Sequence, residues 1–380
     1  MTARLHRAVP AAMRPRSDSK ATPPPPRPRT IPPDVDCVVV GGGPVGLLTA
    51  VLLGQAGLRV AVVERRARRY PAPHACTVDH EAMRILQAVD WGRAAQAGWA
   101  TANSFHQADL EAALEDLAAA TPGVTVHRGW TFLSLTQTGH AVSVLATATD
   151  DPTRVAPIRA RWLIGADGAE SAVRSDLGFR ASCANIWRDG NVFLAGDAAR
   201  LASPLFGLGL CAGLRDARAL TWRLALVHRG LTTPFVLDSY GPERAGQVRM
   251  VLDENGAEGG LAPQGRIRVG DRSGLFDDVL GGGWQLISRA GDPGELLSED
   301  DLAWFRRIGG VVADLSDAGP VRDLDGGYEQ WFARHRCQAL LARPDFYVFA
   351  AGQHTDIAYF VSRLRQALPP GPGSPVVHRS

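Results

Sequence analysis

Glycine and aspartate residues recur in three short segments that lie far apart along the chain. They span residues 41–46 (GGGPVG), 165–168 (GADG) and 196–199 (GDAA). A glycine-rich turn that opens a helix lets the backbone approach a phosphate group. The first segment therefore suits a diphosphate. The other two place an aspartate in a turn directly after an apolar run, where ligands bind in open α/β sheets.

The first glycine segment lies between an apolar run and a helical pattern. Residues 36–40 (DCVVV) are mostly β-branched and apolar, as expected of a buried parallel strand. Residues 44–56 have helical composition, with Gly57 as the stop signal, and residues 59–64 (RVAVVE) form a second apolar run. This order predicts a strand–helix–strand unit that binds a dinucleotide.

The glycines of this unit have different predicted roles. Gly41 permits the tight turn, Gly43 lets the backbone approach the diphosphate, and Gly46 allows the helix to pack closely on the strand. The helix begins with Pro44 and Val45, and its free N–H groups and its dipole would face the diphosphate.

Glu64 ends the second run 18 positions after Gly46, where such units carry an acid that accepts ribose hydroxyls, and Arg65 follows it. A glycine-rich turn alone would also suit an unrelated α/β protein. The strand, the helix and Glu64 together favour the dinucleotide site, although they do not distinguish FAD from NAD.

The other two segments also follow predicted strands. Residues 161–164 precede the turn at Asp167 and Gly168, and residues 191–195 precede Gly196 and Asp197. A helix follows the last turn and ends at Gly230. This helix is expected to have one buried face, formed by residues that recur every three or four positions: Leu210, Leu214, Ala217, Thr221 and Leu224.

In their order and in their amino-acid sequences, the three segments resemble those of FAD-dependent aromatic hydroxylases. These are class A flavoprotein monooxygenases, and they include 3-(3-hydroxyphenyl)propionate hydroxylase and polyketide-tailoring oxygenases. The strings at residues 165–174 (GADGAESAVR) and 196–213 carry most of the resemblance. Residues 80–87, 105–111 and 238–244 are weaker matches, and the last of these resembles a structural element of the family.

The resemblance implies a set of FAD contacts. Asp197 would accept a hydrogen bond from the ribityl chain, and the first turn of the helix near Gly209 would lie at the pyrimidine edge of the flavin. No catalytic residue is assigned. His74, His106 and Tyr240 are candidates for a general base, but a lone His or Tyr is more often structural. The implied FAD-binding residues are Gly41, Gly43, Pro44, Val45, Gly46, Glu64, Arg65, Gln107, Asp167, Gly168, Gly196, Asp197, Pro204, Gly207, Gly209 and Leu210.

The implied activity is hydroxylation of a small aromatic (phenolic) substrate. NADH or NADPH would reduce FAD, and O₂ would form a flavin hydroperoxide that transfers oxygen. Two alternatives stay open. One is a catalytically impaired FAD-binding protein or an NAD(P)H oxidase-like remnant that lacks the substrate lid. The other is a binding module that takes NAD and no flavin.

The spacing of the segments departs from the family pattern. Asp167 and Asp197 are 30 positions apart, and the family carries most of the substrate-domain sheet in this interval. Such a sheet does not fit here. Strands for a second layer are expected at residues 124–127, 131–135, 142–147 and 155–160. Locally, His74 stands in place of Arg, Arg200 in place of His, and Leu208 in place of a polar residue.

The predicted fold class is α/β. A Rossmann-like FAD-binding domain of the glutathione-reductase type, with a reduced β-rich substrate layer, is expected at residues 35–272. A thioredoxin-like C-terminal domain is expected at residues 273–368. Residues 1–34, rich in Pro and Arg, and residues 369–380 are expected to be tails. Cys337 is the only cysteine of the C-terminal domain, which excludes dithiol chemistry there and leaves packing or homodimer formation as its role.

Composition narrows the remaining function classes. The net charge of +2 gives no footprint for nucleic acid. The five cysteines are not close to one another, which argues against a zinc site, and the lack of a secretory signal favours the cytoplasm. The uncharged stretch 37–58 contains a glycine triplet and Pro44, so we expect a strand and a helix there and no membrane span.

Overall fold

The computed structural model describes residues 30–69, 77–87, 102–179, 187–200, 209–250 and 257–371. Its strands, in chain order, are β1 (Cys37–Val40), β2 (Val60–Glu64), β3 (Thr77–Asp79), β4 (Ala102–Ser104), β5 (Val124–Arg128), β6 (Trp130–Thr138), β7 (Ala141–Ala148), β8 (Val155–Ala160), β9 (Trp162–Gly165), β10 (Arg188–Asp189), β11 (Val192–Leu194), β12 (Arg266–Val269), β13 (Arg272–Leu275), β14 (Trp284–Ser288), β15 (Gly310–Asp314), β16 (Val321–Asp323), β17 (Ala339–Ala342) and β18 (Val348–Gly352).

Helices lie between some of these strands and after the last one. They are α1 (Pro44–Gln55), α2 (His80–Gln87), α3 (Gln107–Ala120), α4 (Ala172–Asp176), α5 (Gly209–His228), α6 (Tyr240–Met250), α7 (Phe276–Val279), α8 (Glu299–Arg307), α9 (Gly327–His335) and α10 (Ile357–Ala367). Short 3₁₀ turns lie at Gly196–Ala198, Pro234–Ser239, Pro293–Leu296 and His354–Asp356. Among the described helices, none combines the length and the apolar composition that crossing a bilayer requires.

A six-stranded sheet forms the centre of the N-terminal part, in the order β10-β11-β9-β1-β2-β5. All of its neighbouring strands pair in parallel except β10. Strand β1 is fully buried, and its residue Cys37 pairs with Val60 on one side and Trp162 on the other. The predicted strand–helix–strand unit is confirmed, and both aspartate segments follow neighbouring strands of this sheet.

Strand β5 lies in a different place from the one expected. The sequence predicts a second-layer strand at residues 124–127, but β5 pairs in parallel with β2, with Val124 opposite Val60. A parallel neighbour needs a crossover connection, and α3 supplies one directly before β5. This strand therefore extends the nucleotide-binding sheet.

Strands β6, β7 and β8 form an antiparallel sheet of their own. They confirm the strands expected at residues 131–135, 142–147 and 155–160. One face of this sheet is buried, through residues such as Val144 and Ile158, while Leu133 and Leu145 are exposed on the other. Among the described residues between Gly168 and Gly196, the regular elements are α4 and the strands β10 and β11. The short interval holds no larger sheet in the part that the structure describes.

The C-terminal part has a four-stranded sheet in the order β15-β14-β17-β18. Strands β14 and β15 are parallel and are joined through α8, whereas β17 and β18 are antiparallel additions. A smaller sheet, β13-β12-β16, packs with it in a separate apolar cluster that includes Ile267, Phe276 and Phe332. The hairpin of β12 and β13 therefore belongs to the C-terminal unit, and a boundary after residue 272 would cut it.

Residues 30–34, which the sequence places in the N-terminal tail, pack against the first unit. Ile31 is 4% exposed, and the carbonyl oxygen of Pro33 accepts a hydrogen bond from the Arg159 amide at 2.8 Å. This packing follows from the apolar Ile31 and from an open edge of β8. At the other end, the Pro369 carbonyl oxygen accepts from Thr232 Oγ1 at 2.9 Å.

Candidate functional site

The first glycine turn touches the second motif directly. Gly41 has φ +108°, and a Cβ placed on it would lie 2.3 Å from the carbonyl oxygen of Ala166. A Cβ on Gly46 would lie 2.0 Å from the Gly41 carbonyl oxygen. Both positions are too crowded for a side chain, so these two glycines bring β1, α1 and the turn after β9 together.

Gly43 has the opposite surroundings. A Cβ placed on it would have no atom within 4 Å, so there is open space at the start of α1. Pro44 occupies the first turn, and no side chain caps the helix. The N–H groups of this turn, including that of Val45, are therefore available to an anion.

Glu64 links the end of β2 to the glycine turn. Its Oε2 accepts a hydrogen bond from the Gly42 amide at 2.6 Å, and its Oε1 accepts one from the Arg66 amide at 2.8 Å. The side chain is half-buried, whereas Arg65 is exposed beside it. A carboxylate at this edge can also accept hydrogen bonds from the hydroxyls of a bound sugar.

Asp167 accepts hydrogen bonds from the first turn of α4, the helix that follows the second motif. Its Oδ2 accepts from the amides of Ala172 at 2.8 Å and Val173 at 3.2 Å, while its buried Oδ1 has no partner. Burial raises the pKa of Asp167, and the hydrogen bonds to the carboxylate offset part of that effect. Gly168 follows with φ +84°. An unpaired buried oxygen at this position suits a polar ligand group.

The third motif forms a 3₁₀ turn directly after β11. Gly196 has φ +61°, and its amide donates to Asp216 Oδ2 at 2.9 Å. Asp197 is among the exposed residues, yet partial withdrawal of its carboxylate from solvent raises its pKa, and the charge of Arg200 opposes that shift.

The three motifs converge at the beginnings of α1 and α5. Helix α5 starts at Gly209 and Leu210, which are half-buried. A Cβ on Gly213 would lie 2.6 Å from Val45 Cγ2 and 3.2 Å from the Gly196 Cα. The first turn of α1, the turn at Gly196 and the first turns of α5 are therefore packed against one another.

The contacts described above do not include every candidate residue. Gln107 begins α3, where its Nε2 donates to Glu111 Oε1 at 2.8 Å, so its side chain is held along its own helix. Pro204 and Gly207 lie outside the described residues, as do His74 and Leu208.

The sequence did not identify three buried polar residues that hold the site together. Arg174 donates to the carbonyl oxygens of Ala198 at 2.8 Å and Ala169 at 2.6 Å, and so ties the second motif to the third. Asp216 is fully buried, and Arg244 bonds to it. For Asp216, the sequence signal was a charged pair, Arg215 and Asp216, between the apolar Leu214 and Ala217 of α5.

These features fit a dinucleotide such as FAD. The site has an uncapped helix N-terminus with open space at Gly43, a carboxylate at the end of β2, and a buried oxygen of Asp167 without a partner. Over the described ranges, we find no group of three or more His, Cys, Asp or Glu residues that could hold a metal ion.

Two family models match the chain. The model of the FAD binding domain matches residues 34–97, 89–184 and 179–255. The model of the HcaD C-terminal domain matches residues 259–367.

Proteins with similar sequences carry the names of hydroxylases. A probable NADH-specific resorcinol 4-hydroxylase from Rhodococcus jostii RHA1 is 24% identical, over 90% of this chain and 96% of that protein. A 3-(3-hydroxy-phenyl)propionate/3-hydroxycinnamic acid hydroxylase from Mycobacterium sp. JLS is also 24% identical, over 82% and 88%. The first alignment extends over 513 positions, although this chain has 380 residues, so this chain has internal gaps relative to that protein.

Solved structures share the fold. Aklavinone-11 hydroxylase in complex with FAD and aklavinone has a TM-score of 0.69 at 20% identity, covering 88% of this chain and 99% of that chain. The anhydrotetracycline hydroxylase OxyS from Streptomyces rimosus has a TM-score of 0.67 at 20% identity, covering 90% and 100%. At 20% identity, these structures show only that the fold is shared. The family is shown by the model of the FAD binding domain, which matches more than half of the sequence. This chain is therefore a member of the FAD binding domain family, with a C-terminal domain of the HcaD type.

Proposed function

We propose that this protein is an FAD-dependent monooxygenase that hydroxylates a small phenolic substrate with NADH or NADPH and O₂. The convergence of three motifs at the starts of α1 and α5 is the observation that supports this proposal, because Gly43, Glu64 and Asp197 belong to turns and strand ends that meet there and would bind the cofactor. The names of the similar proteins support a phenolic substrate, and one of them is called NADH-specific.

Each part of the site has a proposed task. The first turn of α1, with Gly43 and Val45, binds the diphosphate, and Glu64 accepts the ribose hydroxyls. Asp197 accepts a hydrogen bond from the ribityl chain. The first turn of α5, at Gly209, faces the pyrimidine edge, where N–H groups and the helix dipole stabilise negative charge. When bound, FAD supplies the redox chemistry with the nicotinamide and O₂, and the protein binds, orients and excludes water.

The remaining candidates have supporting tasks. Gly41 and Gly46 allow close approach of backbone segments, and Asp167 with Gly168 shapes the neighbouring turn. Arg65, which directly follows β2, and Gln107, the first residue of α3, are proposed to contact the cofactor. Among the rest of the set, Pro204, Gly207 and Leu210 are also proposed to bind the cofactor.

For the domain organisation, we propose an FAD-binding unit that ends near residue 258 and a thioredoxin-like C-terminal unit after it. The strand order β15-β14-β17-β18, with a parallel pair joined by α8, supports the thioredoxin-like assignment. The β6–β8 sheet is proposed as the reduced substrate layer. Cys337 is buried and free, which supports a structural role for the C-terminal unit, and homodimer formation stays a prediction.

A cytoplasmic location is also part of the proposal. The described cysteines Cys37, Cys211 and Cys337 are buried and free, as is common for proteins of reducing compartments. No nucleic-acid or membrane partner is proposed, since the net charge is only +2.

A second candidate function is an NAD(P)H oxidase-like reaction without hydroxylation. It is favoured by the short interval between Gly168 and Gly196, whose described part holds no large sheet, and by the internal gaps relative to the resorcinol hydroxylase. A site with less protein over the substrate would admit water and release reduced oxygen as peroxide.

The two candidates differ in their products. The purified protein is examined for a flavin absorbance spectrum, and NADH or NADPH consumption is then measured with resorcinol or 3-(3-hydroxyphenyl)propionate. Hydroxylated product in near-equal amount to the consumed nicotinamide supports the hydroxylase. Peroxide in place of product supports the oxidase. A protein that binds no flavin would exclude both.

A further inference from the structure

A buried carboxylate connects the last cofactor motif to a distant helix. Asp216 lies on α5 with no exposed surface. Its Oδ2 accepts a hydrogen bond from the Gly196 amide at 2.9 Å, and its Oδ1 accepts one from Arg244 Nε at 2.6 Å. Arg200 Nη2 lies 4.0 Å from Oδ2, beyond hydrogen-bond distance. Arg244 on α6 is therefore the main charged partner of Asp216 among the described residues.

The turn that Asp216 holds determines where Asp197 lies. Gly196 is in the left-handed region at φ +61°, and Val45 and Gly213 pack against it. Its amide is buried, so an unpaired N–H there would be unfavourable. Since Asp197 is the next residue, the Gly196–Asp216 hydrogen bond fixes the backbone from which the proposed ribityl-binding carboxylate projects.

Helix α6 braces the same region at a second point. Tyr240 is fully buried, and its hydroxyl donates to the carbonyl oxygen of Leu194 at 3.0 Å. Leu194 is the last residue of β11, two positions before Gly196. Arg244 also donates to the Ala212 carbonyl oxygen at 3.3 Å. Two buried side chains of α6 therefore reach the elements on either side of the Gly196 turn, Tyr240 through β11 and Arg244 through α5.

Arg244 stabilises the buried Asp216 carboxylate by its positive charge. A buried carboxylate is tolerated when it is paired with a cation and its oxygens are hydrogen-bonded. Without Arg244, Arg200 at 4.0 Å would be the remaining cationic partner of Asp216 among the described residues. The carboxylate would then rotate or shift towards other partners, and the Gly196 amide would lose its acceptor.

We propose that Asp216 and Arg244 are positioning residues for FAD, acting through the Gly196 turn on Asp197. Neither residue is expected to touch the cofactor. This proposal rests on the FAD site of the proposed function but not on hydroxylation, and its test therefore measures flavin binding.

The test compares Arg244→Met with the matched variant Arg223→Met. Arg223 lies on α5 and is also buried, at 1% exposure. It pairs with Glu243, which precedes Arg244 on α6. It makes no hydrogen bond to the Gly196 turn in the described structure. For each variant, the apoprotein melting temperature, the Kd for FAD and the reduction potential of bound FAD are measured.

Arg244→Met is expected to raise the Kd for FAD by about tenfold or more and to shift the potential. Arg223→Met is expected to change both much less, at a comparable loss of melting temperature. Equal effects of the two variants on FAD binding would overturn the proposal, because they would show a general loss of stability.

Milder changes keep the test useful if Arg244→Met does not fold. Arg244→Lys keeps the charge, and Asp216→Asn keeps the shape but removes the charge. Weakened FAD binding in Asp216→Asn, together with tighter FAD binding by Arg244→Lys than by the uncharged variant Arg244→Gln, supports positioning. If Arg244→Lys and Asp216→Asn both bind FAD as tightly as the wild type does, the proposal is overturned. If the wild type itself binds no FAD, the proposed function is overturned.

Discussion

Arg84 of α2 and Asp277 of α7 are 193 positions apart and form a buried, two-point ion pair. The Nε–Oδ2 distance is 2.8 Å and the Nη2–Oδ1 distance is 3.2 Å. The two side chains are 3% and 8% exposed. Arg84 Nη1 also donates to the Ala262 carbonyl oxygen at 2.8 Å. This pair joins the FAD-binding unit to the C-terminal unit, so the two are expected to unfold together.

Replacement of Arg84 by Met is expected to lower the free energy of unfolding by about 3–5 kcal/mol, because Asp277 would stay buried without its cation. Urea unfolding of Arg84→Met, Asp277→Asn and the double variant measures the pair as a double-mutant cycle. The double variant should lose clearly less than the sum of the single losses. Additive losses would mean that the two side chains do not stabilise each other.

Gly43 and Gly46 should respond differently to the same small substitution. Gly43→Ala adds a methyl group to open space, so the apoprotein should keep its melting temperature while FAD affinity falls about tenfold or more. Gly46→Ala would place its Cβ 2.0 Å from the Gly41 carbonyl oxygen and should destabilise the fold. Unchanged FAD affinity in Gly43→Ala would contradict the diphosphate position at this turn.

Asp345 should make stability depend on pH at the acid end. Burial by itself raises the pKa of Asp345, but the charges of Arg343 and Arg223 and the hydrogen bonds outweigh it and lower the pKa from 3.8 to about 2. The ionised form is therefore favoured by folding. Its contribution is present above about pH 4 and is lost as pH falls towards 2, by on the order of 2 kcal/mol.

This contribution is measured as the difference between wild type and Asp345→Asn in urea unfolding at several pH values. The difference should be largest near pH 6 and should shrink as pH falls from 4 towards 2. A difference that stays constant across this range would show that the charge of the Asp345 carboxylate does not stabilise the folded state.

Phe346 has a backbone conformation that is costly for its residue type. Its φ is +72° and its side chain is 1% exposed, with the Arg84 guanidinium 4.1 Å and that of Arg218 5.0 Å from the ring centre. Phe346→Ala should lose about 3–5 kcal/mol of stability through the lost ring. Phe346→Gly should lose about 1 kcal/mol less, since glycine adopts this conformation without strain. The order of the two variants in chemical unfolding tests the strain, and a less stable glycine variant would contradict it.

Local patterns predicted much of the fold. The β-branched runs at β1 and β2 and the helix start at Pro44 were readable, because a strand buried on both faces and a glycine turn each leave a short, continuous signal. Strand β5 was assigned to the wrong layer. Its alternating pattern identifies a strand but does not say which sheet it joins, since pairing partners lie 60 or more positions away.

The sequence by itself determined the cofactor motifs, their order and the short interval between Asp167 and Asp197. These depend on residue types in contiguous segments, where backbone conformation and ligand chemistry are local. Only the tertiary structure decided that Asp216 and Arg244 hold the Gly196 turn and that Arg84 meets Asp277. Such buried pairs depend on how helices from distant parts of the chain pack, and a single charged residue in a helix does not indicate its partner.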